Sequence, residues 1–362
     1  MASIDKRANG RWRARWREHP GGPQRSRHFD RKIDAQAFLT HIEHSKLAGT
    51  YVDPKAGQIT FSAWATEWAT RRRWKPATRE RIERELRLHI LPVFGRQPLA
   101  TIRRAQIEQW AAGLDLAPST ARRIADTLST MLAAAVEDEL IPRNPAARAR
   151  LPQPESAPFV PLTIDQIRTI TRAAPEHLRA AVILSAGTGL RQGEAMAVTL
   201  DRIDFLRREL RVDRQLWSPA KGVPHFAPPK TRRGYRTIAL SSITTDTLAV
   251  HVSTFAPGVD GLLFHTDGRP ISRANLSGIM RRTTARANLK ATWHDLRHHH
   301  ASMLLSAGVS PALVAERLGH DLATLLRTYA HVIRADEDRV RAIIDGQLGG
   351  SAEDWLRTGE VC

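Results

Sequence analysis

Four prolines between Pro152 and Pro161 constrain the fold more than any other feature of the sequence. Proline has no backbone N–H and clashes with the preceding helical turn, so neither a helix nor a central strand continues through such a run. Residues 151–162 therefore predict a semi-rigid spacer between separately folded domains. A length of 362 residues is enough for two or three of them.

Charge and cysteine content narrow the function classes. A net charge of +18 points to a polyanionic partner, first of all DNA or RNA, although a generally arginine-rich composition is the alternative. The single cysteine is Cys362, which excludes an internal disulfide framework and a cysteine-based zinc site and suits a reducing cytosol. No apolar run is long enough to span a bilayer, so we expect a cytoplasmic protein at the nucleoid with no membrane partner.

Residues 11–17 alternate strictly between basic and apolar side chains. A strand would place Trp12, Ala14 and Trp16 on one face and arginines on the other. The row predicted to contact DNA consists of Arg11, Arg13, Arg15 and Arg17. Such a row can enter a major groove. A solvated strand face is the alternative, but it usually mixes charges of both signs.

The rest of residues 1–50 completes a small sheet and helix. A Pro/Gly turn and a second strand at 24–29 follow the arginine row, and residues 34–47 predict a helix. The inner side of this helix is expected to carry Ala37, Phe38, Ile42 and Leu47. With eleven Lys or Arg against five Asp or Glu, this module is strongly basic.

Two further domains are predicted on either side of the spacer. Residues 59–150 carry apolar side chains at helical spacing and predict a helical bundle whose tryptophans lie in its core. Residues 163–348 begin with a capping box, Thr163 to Gln166, and mix helices with short strands at 203–205, 209–216 and 236–240. Residues 349–362 predict a flexible tail.

The stretch from Trp293 to Tyr329 carries most of the reactive side chains. His294 and Arg297 are three residues apart and share one face of a helix. His320 follows Gly319, a residue typical of a helix end, and Tyr329 lies farther along the next helix. Three consecutive histidines, 298–300, would point in three directions on a helix, so we predict no metal site there.

Two other segments matter only in combination with this stretch. Arg191 follows a glycine-bearing turn, Gly187-Thr188-Gly189, and precedes Glu194 by three residues, a spacing typical of a surface ion pair. Lys230 lies at the basic tip of a predicted hairpin before the strand at 236–240. Neither segment alone indicates a reaction.

Together these motifs resemble the tyrosine recombinase family, the phage-type integrases in particular. The family's catalytic set is Arg, Lys, His-x-x-Arg, His or Trp, and Tyr, in that order. The matching residues are Arg191, Lys230, His294, Arg297, His320 and Tyr329, with Glu194 at the supporting acidic position. The resemblance covers nearly the whole chain, with two departures. Ala195 stands where many relatives have a larger apolar residue, and His299-His300 replaces a commoner Thr-Phe type pair.

The resemblance implies site-specific DNA recombination, which integrates or excises a phage or mobile element through a 3′-phosphotyrosine intermediate. Tyr329 would attack the phosphodiester, with His294 as base and His320 bonded to the phosphate. Arg191 and Arg297 would hold the non-bridging oxygens, and Lys230 would protonate the leaving 5′ oxygen. Because two guanidiniums supply the positive charge, we expect no metal and no cofactor.

The resemblance also implies the architecture: a multidomain, mainly α protein with a small N-terminal sheet-and-helix module, a helical core-binding bundle and an α-rich catalytic domain with a small antiparallel sheet. The expected partners are double-stranded DNA at core and arm sites and three further copies in a homotetramer. A host DNA-bending protein and an excision factor are further candidates. The helix predicted at 336–348 would dock on a neighbouring protomer or pack on its own domain.

Three alternatives remain on the sequence alone. One is a DNA-binding architectural or regulatory protein that keeps the fold without the reaction, against which the intact catalytic set argues. Another is a type IB topoisomerase-like relaxing enzyme, which shares the chemistry but does not account for the arginine-rich N-terminal module. A resolvase or transposon recombinase would differ in biology rather than in mechanism.

Overall fold

The computed structural model describes residues 2–17, 21–47, 53, 56–153, 159–219, 222–333 and 337–349. The chain divides into two compact units, Met1–Ser156 and Ala157–Cys362. Within the described ranges, none of the helices combines the length and the apolar character needed to cross a membrane. Part of the predicted spacer, 154–158, and the predicted tail beyond Gly349 lie outside the described residues.

The first unit begins with an antiparallel sheet of β1 (Ser3–Lys6), β2 (Trp12–Arg17) and β3 (Gln24–Phe29), covered by helix α1 (Lys32–Leu47). The alternation in β2 has the predicted effect, because Ala14 and Trp16 are buried against α1. The predicted inner side of α1 was partly wrong. Ala35 and Leu39 are buried there with Ile42, whereas Ala37 is exposed and Leu47 is 90% exposed at the end of the helix.

A helical bundle forms the rest of the first unit, as predicted. Its helices are α2 (Phe61–Thr70), α3 (Pro76–Glu85), α4 (Leu91–Phe94), α5 (Arg104–Ala112) and α6 (Pro118–Glu137). The Thr60 hydroxyl caps α2 by accepting a hydrogen bond from the Ala63 N–H. Trp64 and Trp68 are buried in the core, as expected for structural tryptophans. A π-helical turn, Leu86–Ile90, joins α3 to α4 just before Pro92.

The second unit opens with the predicted capping box, in which Thr163 and Gln166 exchange side-chain and backbone hydrogen bonds. Helices α7 (Ile164–Ala173), α8 (Glu176–Thr188) and the short α9 (Gln192–Ala195) follow. A three-stranded antiparallel sheet then forms from β4 (Ile203–Asp204), β5 (Glu209–Val212) and β8 (Arg236–Ala239). Two small hairpins accompany it, β6 (Gln215–Trp217) with β7 (His225–Ala227) and β9 (His265–Thr266) with β10 (Arg269–Pro270).

The single strand predicted at 209–216 was wrong. It is two strands, β5 and β6, in different sheets. Asp213 lies at the break, where its carboxylate accepts hydrogen bonds from Arg202 and Arg214. A tertiary ion-pair cluster therefore ends the strand at a point where the local β propensity alone would continue it.

The remaining helices carry the candidate site. They are α10 (Ser242–Thr254), α11 (Arg273–Arg286), α12 (Trp293–Ser306), α13 (Pro311–Leu318), α14 (Leu322–Ile333) and α15 (Glu337–Leu348). Helices α8 and α12 pack directly on one another, and α13 and α14 fold back onto α12 around Ala301, Leu318 and Leu325. The predicted fold class, mainly α with a small N-terminal module and a small antiparallel sheet in the α-rich domain, is confirmed.

Candidate active site

Two left-handed glycines form the floor of the site. Gly189 ends α8 with φ 65°, and Gly319 ends α13 with φ 64°. Glycine adopts this conformation without strain. A Cβ on Gly189 would lie 2.5 Å from the Leu318 side chain, and one on Gly319 would lie 2.7 Å from the Arg233 carbonyl oxygen. These close approaches bring the ends of two helices, distant in sequence, to one point.

Arg297 is held by the carbonyl groups of these two turns. Its Nη1 donates to the Gly189 oxygen at 2.6 Å and its Nη2 to the Leu318 oxygen at 2.8 Å. The side chain is only 1% exposed, and no described residue accepts a hydrogen bond from its Nε. Burial, and then the nearby Arg191, lower the pKa of Arg297 to about 9, so the guanidinium is still charged at neutral pH.

Arg191 is held by the second turn and by a buried carboxylate. Its Nη2 donates to the Gly319 oxygen at 2.9 Å, and its Nη1 donates to Glu194 Oε1 at 2.8 Å. Glu194 Oε2 also accepts a hydrogen bond from Arg236 Nη2 at 2.9 Å. Burial opposes ionisation of Glu194, but the guanidiniums of Arg236 and Arg191 outweigh it and keep its pKa below the usual value. The carboxylate thus orients one arginine toward the site and neutralises another behind it.

Arg236 was missed by the sequence analysis. It lies at the start of β8, where its Nε donates to the Arg317 oxygen and its Nη1 to the Gly234 oxygen. Its side chain is 7% exposed. In the sequence, Arg236 is one more arginine of a basic hairpin. Its spacing from Glu194 was the only signal that could have identified it as a site residue. These contacts make Arg236 a residue that positions Glu194.

His294 and His320 border the two arginines. A capping box at Thr292 and Asp295 begins α12 and sets the first turn, in which the His294 N–H donates to the Thr292 hydroxyl. His320 is half-buried directly after Gly319. Desolvation, then the charges of Arg297 and Arg191, lower the pKa of His320 to about 3, and desolvation and Arg297 also lower that of His294. Both imidazoles are therefore neutral at pH 7 and can accept or donate a proton.

Tyr329 lies on α14 beside these groups, with its side chain only 1% exposed. Its hydroxyl is 2.8 Å from Nδ1 of His298, one helical turn after His294. The rings of His294 and His298 are 4.5 Å apart. Burial raises the pKa of Tyr329 to about 12, with Arg297 acting in the opposite direction. His298 was not among the predicted site residues.

Lys230 and the N-terminal arginine row are placed differently. None of the contacts above involves Lys230, which is exposed in the turn between β7 and the 3₁₀ turn Arg232–Gly234. In the first unit, Arg13 and Arg15 both pair with Asp5, at 2.9 and 3.2 Å, and Arg11 pairs with Asp30. Arg17 donates to the Gly22 oxygen. The row is thus on the surface but already paired within its own module.

The arrangement in the second unit is suited to a phosphodiester. Two guanidiniums fixed by backbone carbonyls supply charge-assisted donors for non-bridging oxygens. Buried polar atoms without partners, here Arg297 Nε and His320 Nδ1, are rare unless a ligand or water satisfies them. Across the described ranges, no group of three or more His, Cys, Asp or Glu is arranged to hold a metal ion. That the reaction needs no metal stays a prediction.

Comparison with known proteins agrees with this geometry. Residues 161–335 match the phage integrase family, and residues 61–151 match the phage integrase central domain. The prophage phiRv2 integrase of Mycobacterium tuberculosis is 29% identical over 93% of this chain and 92% of that protein. The integrase of Mycobacterium phage D29 is 26% identical over 87% of each chain.

Two solved structures share the fold. The Tn1549 transposon integrase in complex with a circular intermediate DNA superposes with a TM-score of 0.70 at 23% identity, over 79% of this chain and 98% of that one. A lambda integrase tetramer bound to a Holliday junction gives a TM-score of 0.58 at 22% identity, over 88% and 95%. These relatives do not favour a silent architectural protein or a relaxing topoisomerase. The chain belongs to the phage integrase family of tyrosine recombinases and is an enzyme of site-specific DNA recombination.

Proposed function

We propose that Tyr329 is the nucleophile of this recombinase and that Arg191, Arg297, His294 and His320 form the pocket for the scissile phosphate. One observation carries the proposal. Arg297 is buried, charged and fixed by two backbone carbonyls, yet its Nε has no acceptor among the described residues. A non-bridging phosphate oxygen is an acceptor of the right charge and size.

The two arginines act on the transition state. In-line attack spreads negative charge over the equatorial oxygens of phosphorus, and donors already fixed in place stabilise that charge without reorganisation. Arg297 is fixed by Gly189 and Leu318, and Arg191 by Gly319 and Glu194. Glu194 and Arg236 are positioning residues, since they act through Arg191.

The proton steps fall to the imidazoles and to Lys230. The phenol of Tyr329 loses its proton to His294 as its oxygen bonds to phosphorus, and the bond from phosphorus to the 5′ oxygen breaks. His320 hydrogen-bonds the phosphate. Lys230 donates the proton that the 5′ oxygen takes up, and its exposed turn suits a group that reaches the DNA from the side. A 5′ hydroxyl of the partner strand then attacks the phosphotyrosine, which reverses these steps.

DNA is the proposed partner of both units, with core sites bound by the central and catalytic parts and arm sites by the N-terminal module. The lambda integrase tetramer on a Holliday junction supports assembly of four copies on two DNA duplexes. Such a substrate would place the protein at the nucleoid. A host DNA-bending protein and an excision factor remain additional proposed partners.

Helix α15 is the proposed contact between copies. Its exposed apolar side chains are Val340, Ile343, Ile344 and Leu348. The second unit also contains an open groove of about 1350 Å³. Its exposed apolar lining includes Ile164, Ile243, Met303 and Leu313. We propose that α15 of one copy occupies this groove of the next. Removal of residues 337–362 should then leave binding to a single DNA site intact and abolish the tetramer in analytical ultracentrifugation.

The nucleophile assignment is tested with a nicked suicide duplex that carries the attachment site, identified from the direct repeats flanking the integrated element. The wild-type protein should form a covalent protein–DNA adduct, and Tyr329→Phe should bind the duplex equally well without forming one. Tyr235→Phe, which alters an exposed tyrosine of the same unit, is the matched control and should retain the adduct. An adduct formed by Tyr329→Phe would show that another residue is the nucleophile.

A further inference from the structure

The three consecutive histidines of α12 each contact a different part of the second unit. His298 Nδ1 is 2.8 Å from the Tyr329 hydroxyl, and His299 Nδ1 is 2.6 Å from the Leu162 carbonyl oxygen. His300 Nδ1 is 3.1 Å from the Ala186 oxygen. The chemical roles proposed above use none of the three. His298 and His299 also contact the end of the proline-rich spacer directly, at Phe159 and Leu162.

Phe159, in that spacer, closes over the nucleophile. Its ring lies on the imidazole of His298, with centroids 4.3 Å apart and planes inclined by 32°. The same ring meets Tyr329 edge-on at 5.5 Å and 88°. Offset and edge-to-face contacts of this kind are the favourable aromatic geometries. Phe159, His298 and Tyr329 thus form one continuous aromatic cluster with the phenol at its inner end.

The enclosed phenol cannot reach a phosphodiester. A nucleophile must approach the phosphorus to about 3 Å in line with the leaving oxygen. Tyr329 is only 1% exposed, and its hydroxyl points at His298. Burial lowers the pKa of His298 to about 4 and raises that of Tyr329 to about 12, so the phenol keeps its proton while it is hydrogen-bonded to Nδ1. The geometry is that of a protected nucleophile.

We infer that the spacer end Phe159–Leu162, held by its contacts with His298 and His299, is a catch: it keeps Tyr329 buried until these contacts break. This inference rests on the proposed role of Tyr329 as nucleophile. His298 and His299 are positioning residues: His298 holds the phenol, and His299 holds the spacer through the Leu162 carbonyl. Since the catch lies at the end of the segment that joins the two units, we expect these contacts to break when both units bind DNA.

The test measures access to Tyr329 without DNA. Tetranitromethane nitrates accessible tyrosines, and peptide mass spectrometry identifies the modified residue. In the wild-type protein, Tyr235, which is 53% exposed, should be nitrated rapidly and Tyr329 at least tenfold more slowly. Phe159→Ala and His299→Ala should each accelerate nitration of Tyr329 severalfold and leave the rate at Tyr235 unchanged. Val160→Ala, at an 89% exposed neighbour in the spacer, is the matched control and should have no effect.

A conservative exchange separates positioning from general stability. The side-chain amide of His298→Asn can replace Nδ1 in the hydrogen bond with the Tyr329 hydroxyl, since it can either accept or donate. This variant should therefore retain the protection of Tyr329 that His298→Ala loses, when the two variants are compared at equal thermal stability. Equal nitration of Tyr329 and Tyr235 in the wild-type protein would overturn the catch, as would unchanged protection in both Phe159→Ala and His299→Ala. The nitration assay contains no DNA, so its result is independent of the adduct assay. Adduct formation by Tyr329→Phe would instead refute the proposed function.

Discussion

Arginine serves two different purposes in the two units. In the N-terminal module, Arg11, Arg13 and Arg15 lie on a strand surface and pair with aspartates of the same module. In the second unit, Arg297 is buried and fixed by backbone carbonyls of two glycine turns. Ion pairs at or near the surface contribute little to stability and rearrange more freely than a buried guanidinium, which is held in one geometry. The first arrangement suits many phosphates along a duplex, and the second suits a single one.

The largest effect is expected at Arg297. Replacement by Lys retains a positive charge but cannot reproduce the fork that donates to Gly189 and Leu318 and leaves Nε free for a phosphate. We expect Arg297→Lys to reduce the rate of adduct formation on the suicide duplex by about 10²- to 10³-fold. The corresponding surface exchange, Arg13→Lys, should change that rate less than twofold. Similar losses in both variants would remove the distinction between the two uses of arginine.

Glu194 should rank next, because it is the buried carboxylate on which two guanidiniums depend. Glu194→Gln keeps the shape but leaves Arg236 and Arg191 without a counter-charge, and breaking a buried ion pair costs about 3–5 kcal/mol of unfolding free energy. We expect a clear fall in the urea midpoint at pH 7, together with slower adduct formation. The loss should shrink as the pH falls, since Glu194, whose pKa is held below the usual range, then becomes protonated in the wild-type protein also.

The buried His300 should make the second unit sensitive to acid. Burial, and then Arg317, lower its pKa from 6.5 to about 4, and its Nε2 accepts a hydrogen bond from Arg317 Nε. Below pH 6.5 the unfolded chain takes up a proton that the folded state takes up only near pH 4. The free energy of unfolding is therefore unaffected by this titration above pH 6.5. It falls as the pH decreases from 6.5 to about 4, by about 3 kcal/mol in total.

His300→Phe removes this titration. We expect the variant to lose less stability than the wild-type protein between pH 7 and pH 4.5, as measured by thermal midpoints at each pH. His298, with a pKa of about 4, and His320, with a pKa of about 3, remain, so some acid sensitivity should persist. Parallel curves for the two proteins would show that His300 titrates normally in the folded state.

The sequence predicted what local patterns determine and missed what tertiary contacts determine. Alternation in β2, the capping box at Thr163 and the helix end at Gly319 follow from residues close together in the chain. Arg236, by contrast, is defined by Glu194, and His298 by Tyr329, each across a long sequence separation. The motifs gave the identities of the candidate site residues, but only the fold shows that the phenol is enclosed and that the N-terminal arginines are paired.

The smallest effect, and the most direct test of the surface pairing, is expected at Asp5. This carboxylate pairs with both Arg13 and Arg15, and those two guanidiniums hold its pKa below the usual value. Asp5→Asn releases both arginines for phosphates without changing the apolar face of the sheet. We therefore expect a few-fold tighter binding of arm-site DNA and a steeper decrease of affinity with salt, because more counterions are released on binding.

Asp30→Asn is the matched control for Asp5→Asn, since Asp30 pairs with the more exposed Arg11, and its effect should be smaller. Cleavage on a suicide duplex that contains core sites alone should be unchanged in both variants, because the pairing lies outside the phosphate pocket. Weaker arm-site binding by Asp5→Asn would mean that Asp5 holds the arginines in their reading geometry. The arginine row would then be preorganised, as Arg191 and Arg297 are in the second unit. The two units would differ only in how exposed their arginines are.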